Sequence, residues 1–431
     1  MFVKYMEATY TMLAITCILM IIGLIGVSIL QNLSNSEIDV MDFGAIGDGI
    51  TDDTLAVNDA WNEACSSTGR FTFPTGNFVV QPSIFSGPCK TNTVVVNVIG
   101  NVTAPSMKDW PKNVSTWILF NNIANLIITG TGHFNGQGMT GWWDSCKQAK
   151  TCENNPTALA FNACKGLKLL GVTSDDSPRN HISISNCNGA VISNININAP
   201  ADSPNTDGID ISNTNGVQIN GGHIGTGDDC IAINGGSFNI NITNLNCGPG
   251  HGISIGSLGR NSGRDDVVSN IRVDGCTFTS TQNGVRIKTV PGGSGSASQI
   301  VFSNIRMTNV QHPILLTQFY CVKDRTKCMD IAPVVQINGV SFFNIKGTSS
   351  LSNAIEIRCS AIKGSCEGIS LQQINIQPIN PSFKVRSFCQ NANPSIGEAV
   401  FPPVVCTPTS LIEMPLNYSN DNKSQEGIAT T

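Results

Sequence analysis

A recurring strand pattern constrains the fold of this chain more than any other feature. An asparagine followed by an aliphatic residue, with further aliphatic residues two positions away, recurs through the second half of the sequence, and glycine fills the asparagine position once. The pattern falls at Asn194, Gly221, Asn244, Asn270, Asn304 and Asn344. Successive positions differ by 27, 23, 26, 34 and 40 residues. A period in the low twenties, lengthened by loop insertions, is typical of a solenoid.

The residue types between these positions indicate strands rather than helices. The chain has 42 glycines, with 13% charged and 6% aromatic residues, and its β-prone runs alternate with glycine and asparagine turns. These features predict an all-β fold, a right-handed, single-stranded parallel β-helix in which each coil gives one strand to each of three sheets. Aliphatic side chains would stack inside, and asparagines would form ladders at the turns. A propeller or a leucine-rich repeat would need a different repeat pattern.

A short N-terminal helix is expected to cap the solenoid, because exposed sheet edges need covering. It is predicted over about residues 53–67, after Thr51 or Asp52 as the N-cap. Its apolar stripe would contain Leu55, Ala56, Ala60 and Ala64. No other substantial helix is predicted. The segments 369–376 and 389–406 are expected to close the opposite end.

The N-terminal segment and the cysteines both indicate the secretory route. Residues 11–30 form an apolar run that reaches the roughly 20 residues needed to span a bilayer. A cleaved signal peptide over residues 1–31 is preferred to an uncleaved membrane anchor. Of the 16 cysteines, 15 follow this run, and the lack of a C-x-x-C pair favours disulfides over zinc. N-glycosylation sequons begin at Asn101, Asn113, Asn241 and Asn417.

The rest of the chain is predicted to divide into two regions. Residues 38–406 would form the β-helical domain that carries any catalytic site, and residues 407–431 would form a polar tail. The formal net charge is −5, so nucleic acid is not an expected partner. An anionic substrate would have to be held by local cations.

Four charged clusters interrupt this charge-poor sequence. They are Asn205-Thr206-Asp207-Gly208, Gly227-Asp228-Asp229-Cys230, Gly250-His251-Gly252 and Arg286-Ile287-Lys288. Asp207 precedes Asp228 by 21 residues and Asp229 precedes His251 by 22, which is about one coil. Because parallel strands lie about 4.8 Å apart, these side chains are expected at equivalent places on consecutive coils. Strand alternation would put Arg286 and Lys288 on one face of the next coil, with Ile287 in the core.

The stacked carboxylates favour acid/base chemistry. One such Asp-Gly motif alone is usually a turn, but three crowded carboxylates repel one another, and a structural ladder would favour asparagine. Crowding separates the pKa values of carboxyl groups and can thereby create an acid and a base. A calcium site is the main alternative, and the adjacent Arg286, Lys288 and His251 disfavour it because they bring positive charge.

Other histidines and tryptophans carry weaker predictions. The histidines outside the clusters are predicted to be surface or turn residues; they are His133, His181, His223 and His312. Trp142 and Trp143 would either stack on a sugar ring or pack in the core or at its rim.

The four clusters resemble the motifs of the plant polygalacturonases of glycoside hydrolase family 28. The resemblance spans nearly everything after residue 38 and includes FGAIGDGITDDT at 43–54 and GPGHGISIGSLG at 248–259. It implies a secreted, extracellular hydrolase that cleaves the α-1,4-galacturonan of pectin in the cell wall, with no cofactor and no metal. A monomer is expected, and membrane association is expected only if the N-terminal segment stays uncleaved.

The resemblance also implies catalytic roles. Asp228 would be the general acid that protonates the glycosidic oxygen. Asp207 and Asp229 would activate the attacking water, with inversion at the anomeric carbon. His251 would keep Asp228 protonated or help to position it.

Substrate binding is implied for four further residues. Arg286 and Lys288 would bind substrate carboxylates, the arginine with two parallel hydrogen bonds and the lysine as a point charge. Tyr320 and Asn205 complete the predicted set. Thr317 stands where the family has an acid, and Val290 stands where it often has tryptophan, so subsite preference is left open. The sequence also leaves open exo or endo action and the tolerance of methyl esters or branches.

Three disulfides are expected, and the resemblance supports them in kind. They are Cys230–Cys247, Cys359–Cys366 and Cys389–Cys406. Two other functions remain as alternatives. One is a β-helical pectate lyase, which would need calcium and a base for the C5 proton. The other is a non-catalytic solenoid that binds pectin.

Overall fold

The computed structural model describes residues 37–260, 263–321 and 328–408. In these ranges the chain forms a right-handed parallel β-helix, and its strand pairings are parallel. The predicted signal peptide (1–31) and all but the first two residues of the predicted tail lie outside the described residues. No helix in the described ranges has both the length and the apolar character needed to cross a bilayer.

Short strands make up most of each coil. In chain order they are β1 (Ile38–Asp39), β2 (Asp48–Asp52), β3 (Arg70–Phe73), β4 (Asn77–Val79), β5 (Ser83–Ser86), β6 (Val94–Val98), β7 (Asn101–Thr103), β8 (Thr116–Asn121), β9 (Leu126–Thr129), β10 (His133–Asn135), β11 (Thr157–Asn162), β12 (Lys165–Leu170), β13 (Thr173–Asp175), β14 (Ile182–Ser185), β15 (Asn188–Asn198) and β16 (Ile209–Ser212). They continue with β17 (Asn215–Gly225), β18 (Ile231–Ile233), β19 (Ser237–Thr243), β20 (Asn246–Cys247), β21 (Ile253–Leu258), β22 (Asp266–Asp274), β23 (Thr277–Thr279), β24 (Asn283–Thr289), β25 (Gly295–Val310), β26 (His312–Thr317), β27 (Gln336–Ser349), β28 (Asn353–Arg358), β29 (Cys366–Pro378), β30 (Arg386–Gln390), β31 (Ser395–Ile396) and β32 (Val400–Phe401). The helices are α1 (Thr54–Ser66) and α2 (Trp142–Ala149), with 3-10 turns at Val40–Phe43, Met107–Asp109 and Gly138–Thr140.

Each coil contributes to three ladders, as predicted. The eleven-strand sheet consists of β5, β8, β11, β14, β16, β18, β21, β24, β26, β28 and β30. The other strands form one large sheet that contains two ladders. Long strands such as β15 bend once and serve both ladders, since its first half pairs with β12 and its second half with β13.

The repeated asparagine makes this bend. Asn194 has a φ of 52°, and Gly221 and Asn244, which follow it in register, have φ values of 68° and 55°. Only glycine and asparagine adopt this left-handed conformation readily. Further along the same column, the Asn344 side chain donates to Asn304 Oδ1 at 2.8 Å, which is the predicted ladder.

One of the predicted ladder positions is wrong. Asp274 lies opposite Thr243, so the position after Asn244 in the column is Gly275 rather than Asn270. Asn270 belongs to a second left-handed column one turn earlier in the coil, where its side chain donates to Asn239 Oδ1 at 2.6 Å. Both columns carry the Asn-aliphatic pattern, which is why the sequence alone did not separate them.

Helix α1 covers the N-terminal end of the solenoid, as predicted. Its Trp61 lies over the first coils, with ring centroids 4.9 Å from Phe85 and 5.9 Å from Phe71. The alanines of the predicted stripe are buried, but Leu55 is 80% exposed, so its assignment was wrong. Val57 and Trp61 complete the buried face instead.

The start of α1 differs slightly from the prediction. Asp53 is the N-cap residue, although its carboxylate accepts hydrogen bonds from the backbone of Ile46 and Gly47 rather than from the helix. Asp52 still serves the helix, because its side chain accepts from Thr54 N at 3.0 Å. The Asp53 carboxylate therefore stabilises the loop before the helix, and it does not cap the first turn of the helix.

Helix α2 was not predicted, since it lies in an insertion between β10 and β11. Trp142 packs edge-on against Trp110 at 5.5 Å, and Trp143 donates to Ser177 O at 3.0 Å. Both tryptophans are buried. Packing rather than sugar stacking is therefore their role.

Six disulfides connect the described cysteines. The three predicted pairs are confirmed, and Cys65–Cys89, Cys146–Cys152 and Cys321–Cys328 are additional. Cys164, Cys187 and Cys276 are buried thiols. Cys389–Cys406 lies beside the last strands, β31 and β32, which pair with β29 as expected for the C-terminal end. So many disulfides indicate an oxidising, extracytoplasmic compartment.

Candidate active site

The carboxylate and histidine clusters lie on consecutive coils, where the chain enters the eleven-strand sheet. Ile209, Ile231 and Ile253 are partners in register on β16, β18 and β21. The residues two positions before them are Asp207, Asp229 and His251. These three side chains therefore occupy equivalent places, as the spacing predicted. We call the outer surface of β14 to β24, with the loops that precede these strands, the charged strip.

Arg286 and Lys288 come from inside strand β24 rather than from the preceding loop. Ile287 between them is fully buried in the core, as alternation predicted. Arg286 lies in register with Ser254. The two cations are only 3% and 7% exposed, so they form the floor of the strip and not its surface.

Glycine allows the coils that carry the acids to approach closely. A Cβ on Gly227, the residue before Asp228, would lie 1.8 Å from Ser203 O on the previous coil. The Gly227 backbone nitrogen donates to Thr206 Oγ1 at 2.9 Å. Both contacts connect the second acidic cluster to the first, so a larger residue at 227 would displace Asp228 and Asp229.

Asp229 is the centre of a buried ion cluster. Its Oδ1 accepts from Arg286 Nη2 at 2.7 Å and from Ser254 Oγ at 2.8 Å, and its Oδ2 accepts from Lys288 Nζ at 2.8 Å. Arg286 Nε also donates to Ser254 Oγ at 2.8 Å. Because each carboxylate oxygen has two acceptor sites, only one site, on Oδ2, is left for another donor.

Asp228, next in sequence, makes a separate pair with the imidazole. His251 Nδ1 lies 2.8 Å from Asp228 Oδ1, and the His251 backbone nitrogen donates to Asp228 O at 2.7 Å. The Asp229 backbone nitrogen also donates to Asp228 Oδ1 at 2.8 Å. Asn205 Nδ2 is 3.4 Å from the other oxygen, Oδ2. The adjacent aspartates thus have different partners and face different chemical environments.

The imidazole shifts the acidity of Asp228. Burial opposes ionisation, but the charge and hydrogen bond of His251, with Lys288 and Arg286, outweigh it and hold the pKa of Asp228 below its usual value. Burial also opposes the charged imidazole, and the Asp228 carboxylate outweighs this and raises the pKa of His251. At rest the pair is therefore a carboxylate facing an imidazolium.

Asp207 is shifted in the opposite direction. Burial, followed by the charges of Asp228, Asp210 and Asp229, raises the pKa of Asp207 well above its usual value. Asp207 and Asp228 therefore differ in acidity, which is what an acid/base pair requires. Asp207 therefore keeps its proton to a higher pH than Asp228 does, which is the reverse of the order that the family resemblance implies.

Tyr320 lies over the cationic side of the strip. Lys288 Nζ is 5.2 Å from the ring centroid, and the guanidinium carbons of Arg286 and Arg260 are 6.0 Å and 5.9 Å from it. The half-buried ring is therefore part of the same surface as the predicted cations. Thr317 is in register with Lys288, so no carboxylate offsets the lysine at that position.

A metal ion could in principle be held by the same acids. Ligand atoms of Asp228, Asp229 and His251 lie within 4.8 Å of one another. The donor set fits a divalent cation poorly, because Asp229 is already neutralised by a guanidinium and an ammonium and His251 is held as a cation. The charge balance favours proton chemistry over calcium binding.

Sequence reasoning missed several polar residues of the strip. Ser254 and Asp210 point outward between buried isoleucines, so strand alternation could have found both. Burial, opposed by the charge of Arg179 and reinforced by Asp229 and Asp228, raises the pKa of Asp210 to about 7. Asn180 donates to Asp210 Oδ2 at 2.7 Å.

The prediction for the other histidines was correct in part. His133 and His223 are exposed, but His181 is fully buried and was wrongly expected at the surface or in a turn. Its Nδ1 lies 2.9 Å from Ser174 Oγ, and burial lowers its pKa to about 3. A neutral buried imidazole of this kind supports the core and does not join the charged strip.

The chain is similar to several known proteins of one enzyme family. The family described as glycosyl hydrolases family 28 matches residues 65–399. A probable polygalacturonase of Arabidopsis thaliana is 45% identical over 348 residues, 80% of this chain and 74% of the relative. Polygalacturonase-2 of Solanum lycopersicum is 44% identical over 373 residues, 85% of this chain and 80% of the relative. The solved endo-xylogalacturonan hydrolase from Aspergillus tubingensis superposes with a TM-score of 0.72 at 24% identity, over 87% of this chain and 100% of that one.

Proposed function

The chain belongs to glycosyl hydrolases family 28, and we propose from this membership and from the charged strip that it hydrolyses the α-1,4-linked galacturonate backbone of pectin. It is a glycoside hydrolase of the polygalacturonase type. The observation that carries the proposal is the pair Asp207 and Asp228, whose pKa values are shifted in opposite directions beside a cluster of cations. That combination suits acid/base cleavage of an anionic polysaccharide.

Asp228 serves as the general acid and Asp207 as the base. The Asp228 proton goes to the glycosidic oxygen as the bond from that oxygen to the anomeric carbon breaks. Asp207 takes a proton from water, and the hydroxyl oxygen bonds to the anomeric carbon from the opposite face, which inverts its configuration. Asp229 helps to hold this water through the one acceptor site left on Oδ2.

Substrate binding moves the proton to Asp228, the carboxyl group that must donate it. A uronate carboxylate that approaches Arg286 and Lys288 cancels part of the positive charge that keeps the pKa of Asp228 low. The Asp228 pKa then rises, and the proton that Asp207 holds at rest shifts toward Asp228. Asp207 becomes the base in the same step.

The cationic side of the strip holds the substrate. Lys288 gives one of its three donors to Asp229, and the Tyr320 ring covers Lys288 and Arg286. Asn205 lies beside Asp228 Oδ2, where it can orient the acid or bind a sugar hydroxyl. The cell wall is the proposed site of action, and the enzyme is proposed to act as a monomer without a cofactor.

A direct assay on polygalacturonate tests the proposal. We expect new reducing ends without a rise in ultraviolet absorbance, and no loss of rate when a chelator removes divalent cations. Products that absorb in the ultraviolet, together with inhibition by the chelator, would show the alternative pectate lyase reaction. Binding of polygalacturonate without any new reducing ends would show a non-catalytic solenoid. Product sizing in the same assay, monomer only or mixed lengths, distinguishes exo from endo action.

A further inference from the structure

Arg179 occupies a place in the charged strip that the proposed mechanism does not use. It lies on the coil before Asp207, in the loop that enters β14. Ile182, Ile209 and Ile231 are partners in register, and Arg179, Thr206 and Asp228 each precede one of them by three residues. Arg179 and Asp228 therefore occupy equivalent positions on coils that are two steps apart, a separation of about 10 Å along the helix axis.

The guanidinium of Arg179 carries a positive charge outside the ion cluster of Asp229. The side chain is half-buried, and within the described part of the chain it makes no hydrogen bond and no ion pair. The carboxyl group of Asp210 is close enough for the guanidinium to lower its pKa, but the two groups form no salt bridge.

The two sides of the strip treat a bound polyanion differently. On the β24 side, Arg286 and Lys288 attract it, although both are shared with Asp229. On the β14 side, the Asp228 carboxylate would repel a uronate carboxylate unless a cation lay nearby, and Asp207 and Asp210 would add to this repulsion whenever they ionise. Arg179 is the guanidinium at that side, and its planar fork matches the two oxygens of a carboxylate.

We propose that Arg179 binds the carboxylate of a uronate unit next to the scissile bond, on the β14 side of the acids. This proposal rests on the proposed function and names the residue that selects a charged sugar at that position. The enzyme would then distinguish a free uronate from its methyl ester through Arg179, because the ester offers neither the charge nor the second equivalent oxygen.

The variants Arg179→Ala and Arg179→Lys test this role, assayed on polygalacturonate and on a partly methyl-esterified galacturonan, which still offers free uronates to Arg286 and Lys288. For Arg179→Ala we expect KM on polygalacturonate about tenfold higher, on the scale of 1.4 kcal/mol, with kcat changed less than about threefold. On the partly esterified polymer the same variant should lose less, because many of the chains that are cleaved there have an ester, and no carboxylate, beside Arg179. Arg179→Lys should recover part of the loss, since it restores the charge without the fork.

Two controls separate binding from other effects. Arg272→Ala removes an exposed arginine from the large sheet and should leave both substrates unaffected. In an Asp210→Asn background, the Arg179→Ala loss should persist if the arginine binds substrate and vanish if it only offsets Asp210.

Several results would overturn the proposal. Equal losses on the charged and the esterified polymer would do so, as would a fall in kcat at unchanged KM or a loss that vanishes in the Asp210→Asn background. If the wild type releases no reducing ends from polygalacturonate, the proposed function itself fails. Normal wild-type turnover with an unaffected Arg179→Ala variant rejects only the role of Arg179. Thermal melting of each variant checks that it is folded.

Discussion

Asp229, where the chain enters the eleven-strand sheet, and Asp274, on the large sheet, have similar hydrogen-bond and ion-pair partners. Each accepts from a serine one coil further on, Ser254 at 2.8 Å and Ser303 at 2.6 Å, and each pairs with an arginine. The two sites differ in burial. The Asp229 side chain is 1% exposed and that of Asp274 is 26% exposed.

This difference separates a functional site from a structural ladder. At Asp274 the remaining donor is the neutral Asn304, and the partner Arg272 is half in solvent. At Asp229 two buried cations converge on one carboxylate, with two further carboxyl groups and an imidazole beside it. Buried charges cost several kcal/mol each to desolvate, so a chain that needed only a ladder would use asparagine, as the large sheet does. The cost is explained by acid/base chemistry on a charged substrate.

The largest expected difference between the two faces is in kcat, when one aspartate on each face is changed to asparagine. Asp228→Asn cannot donate the proton to the leaving oxygen, and we expect kcat to fall by about 10³-fold or more. Asp274→Asn should leave kcat unchanged within about twofold, because that side chain lies on another sheet. Steady-state kinetics on polygalacturonate measure both variants. Equal activities would remove the distinction between the two faces.

The stability of the two clusters should differ nearly as much. Asp229→Asn leaves Arg286 and Lys288 buried without their counter-ion, and we expect a loss of about 3–5 kcal/mol in the free energy of unfolding. Asp274→Asn breaks a solvent-exposed pair and should cost under about 1 kcal/mol. Denaturant unfolding at neutral pH gives both values. Losses of the same size in both variants would mean that burial does not distinguish the sites.

Asp210 and Asp274 should respond to pH in opposite directions. The pKa of Asp210 is raised from 3.8 to about 7, so the folded state binds its proton more tightly, and the stability this gives is lost as pH rises toward about 7. Asp210→Asn should therefore gain about 1–2 kcal/mol at neutral pH, after allowance for partial exposure, and little at about pH 4. Hydrogen bonds and Arg272 hold the pKa of Asp274 low in spite of burial, so its contribution is lost as pH falls. Melting curves at both pH values test the pair.

The proton shift that substrate binding causes should appear in the pH dependence of rate. The raised pKa of Asp207 and His251 keeps their protons to higher pH, so activity should be highest in acid and decline as pH rises through the pKa values of these two groups. Because bound uronate raises the pKa of Asp228, the alkaline limb of kcat should lie at a higher pH than that of kcat/KM. If the alkaline limbs of kcat and kcat/KM coincide, substrate binding does not raise the pKa of Asp228 and the proposed proton shift is wrong.

A change in the asparagine columns is expected to affect stability and not the rate. Asn270 has a left-handed φ of 57°, a conformation that alanine disfavours. The variant Asn270→Ala also loses the side-chain hydrogen bond to Asn239. We expect a loss of about 1–2 kcal/mol and unchanged kcat. Asn270→Gly tolerates the conformation and should lose less. Denaturant unfolding and steady-state rates separate these outcomes.

The sequence predicted the spacing of the coils well, but it predicted less well which position within a coil each asparagine occupies. Spacings of 21 and 22 residues placed Asp207, Asp229 and His251 correctly, because strand registers repeat at that interval. Asn270 was placed in the wrong column, since two turns of the coil use the same asparagine-aliphatic pattern.

The depth of the cations and the order of the pKa values depend on three-dimensional packing. Arg286 and Lys288 were expected on one face of their coil, and only the structure shows that both are buried there and pair with Asp229. Helix α2 was missed because it lies in an insertion outside the repeat. The reversed resting acidity of Asp207 and Asp228 could not be read from spacing, since it arises from burial and from the imidazole.

The configuration of the first product tests the acid/base account most directly. The enzyme is mixed with oligogalacturonate, and the anomeric protons are followed by nuclear magnetic resonance before mutarotation. Inverting hydrolysis of an α-linked chain by Asp228 and Asp207 predicts that the β-anomer appears first. An α-anomer that appears first, or an unsaturated sugar at the new end, would contradict the account.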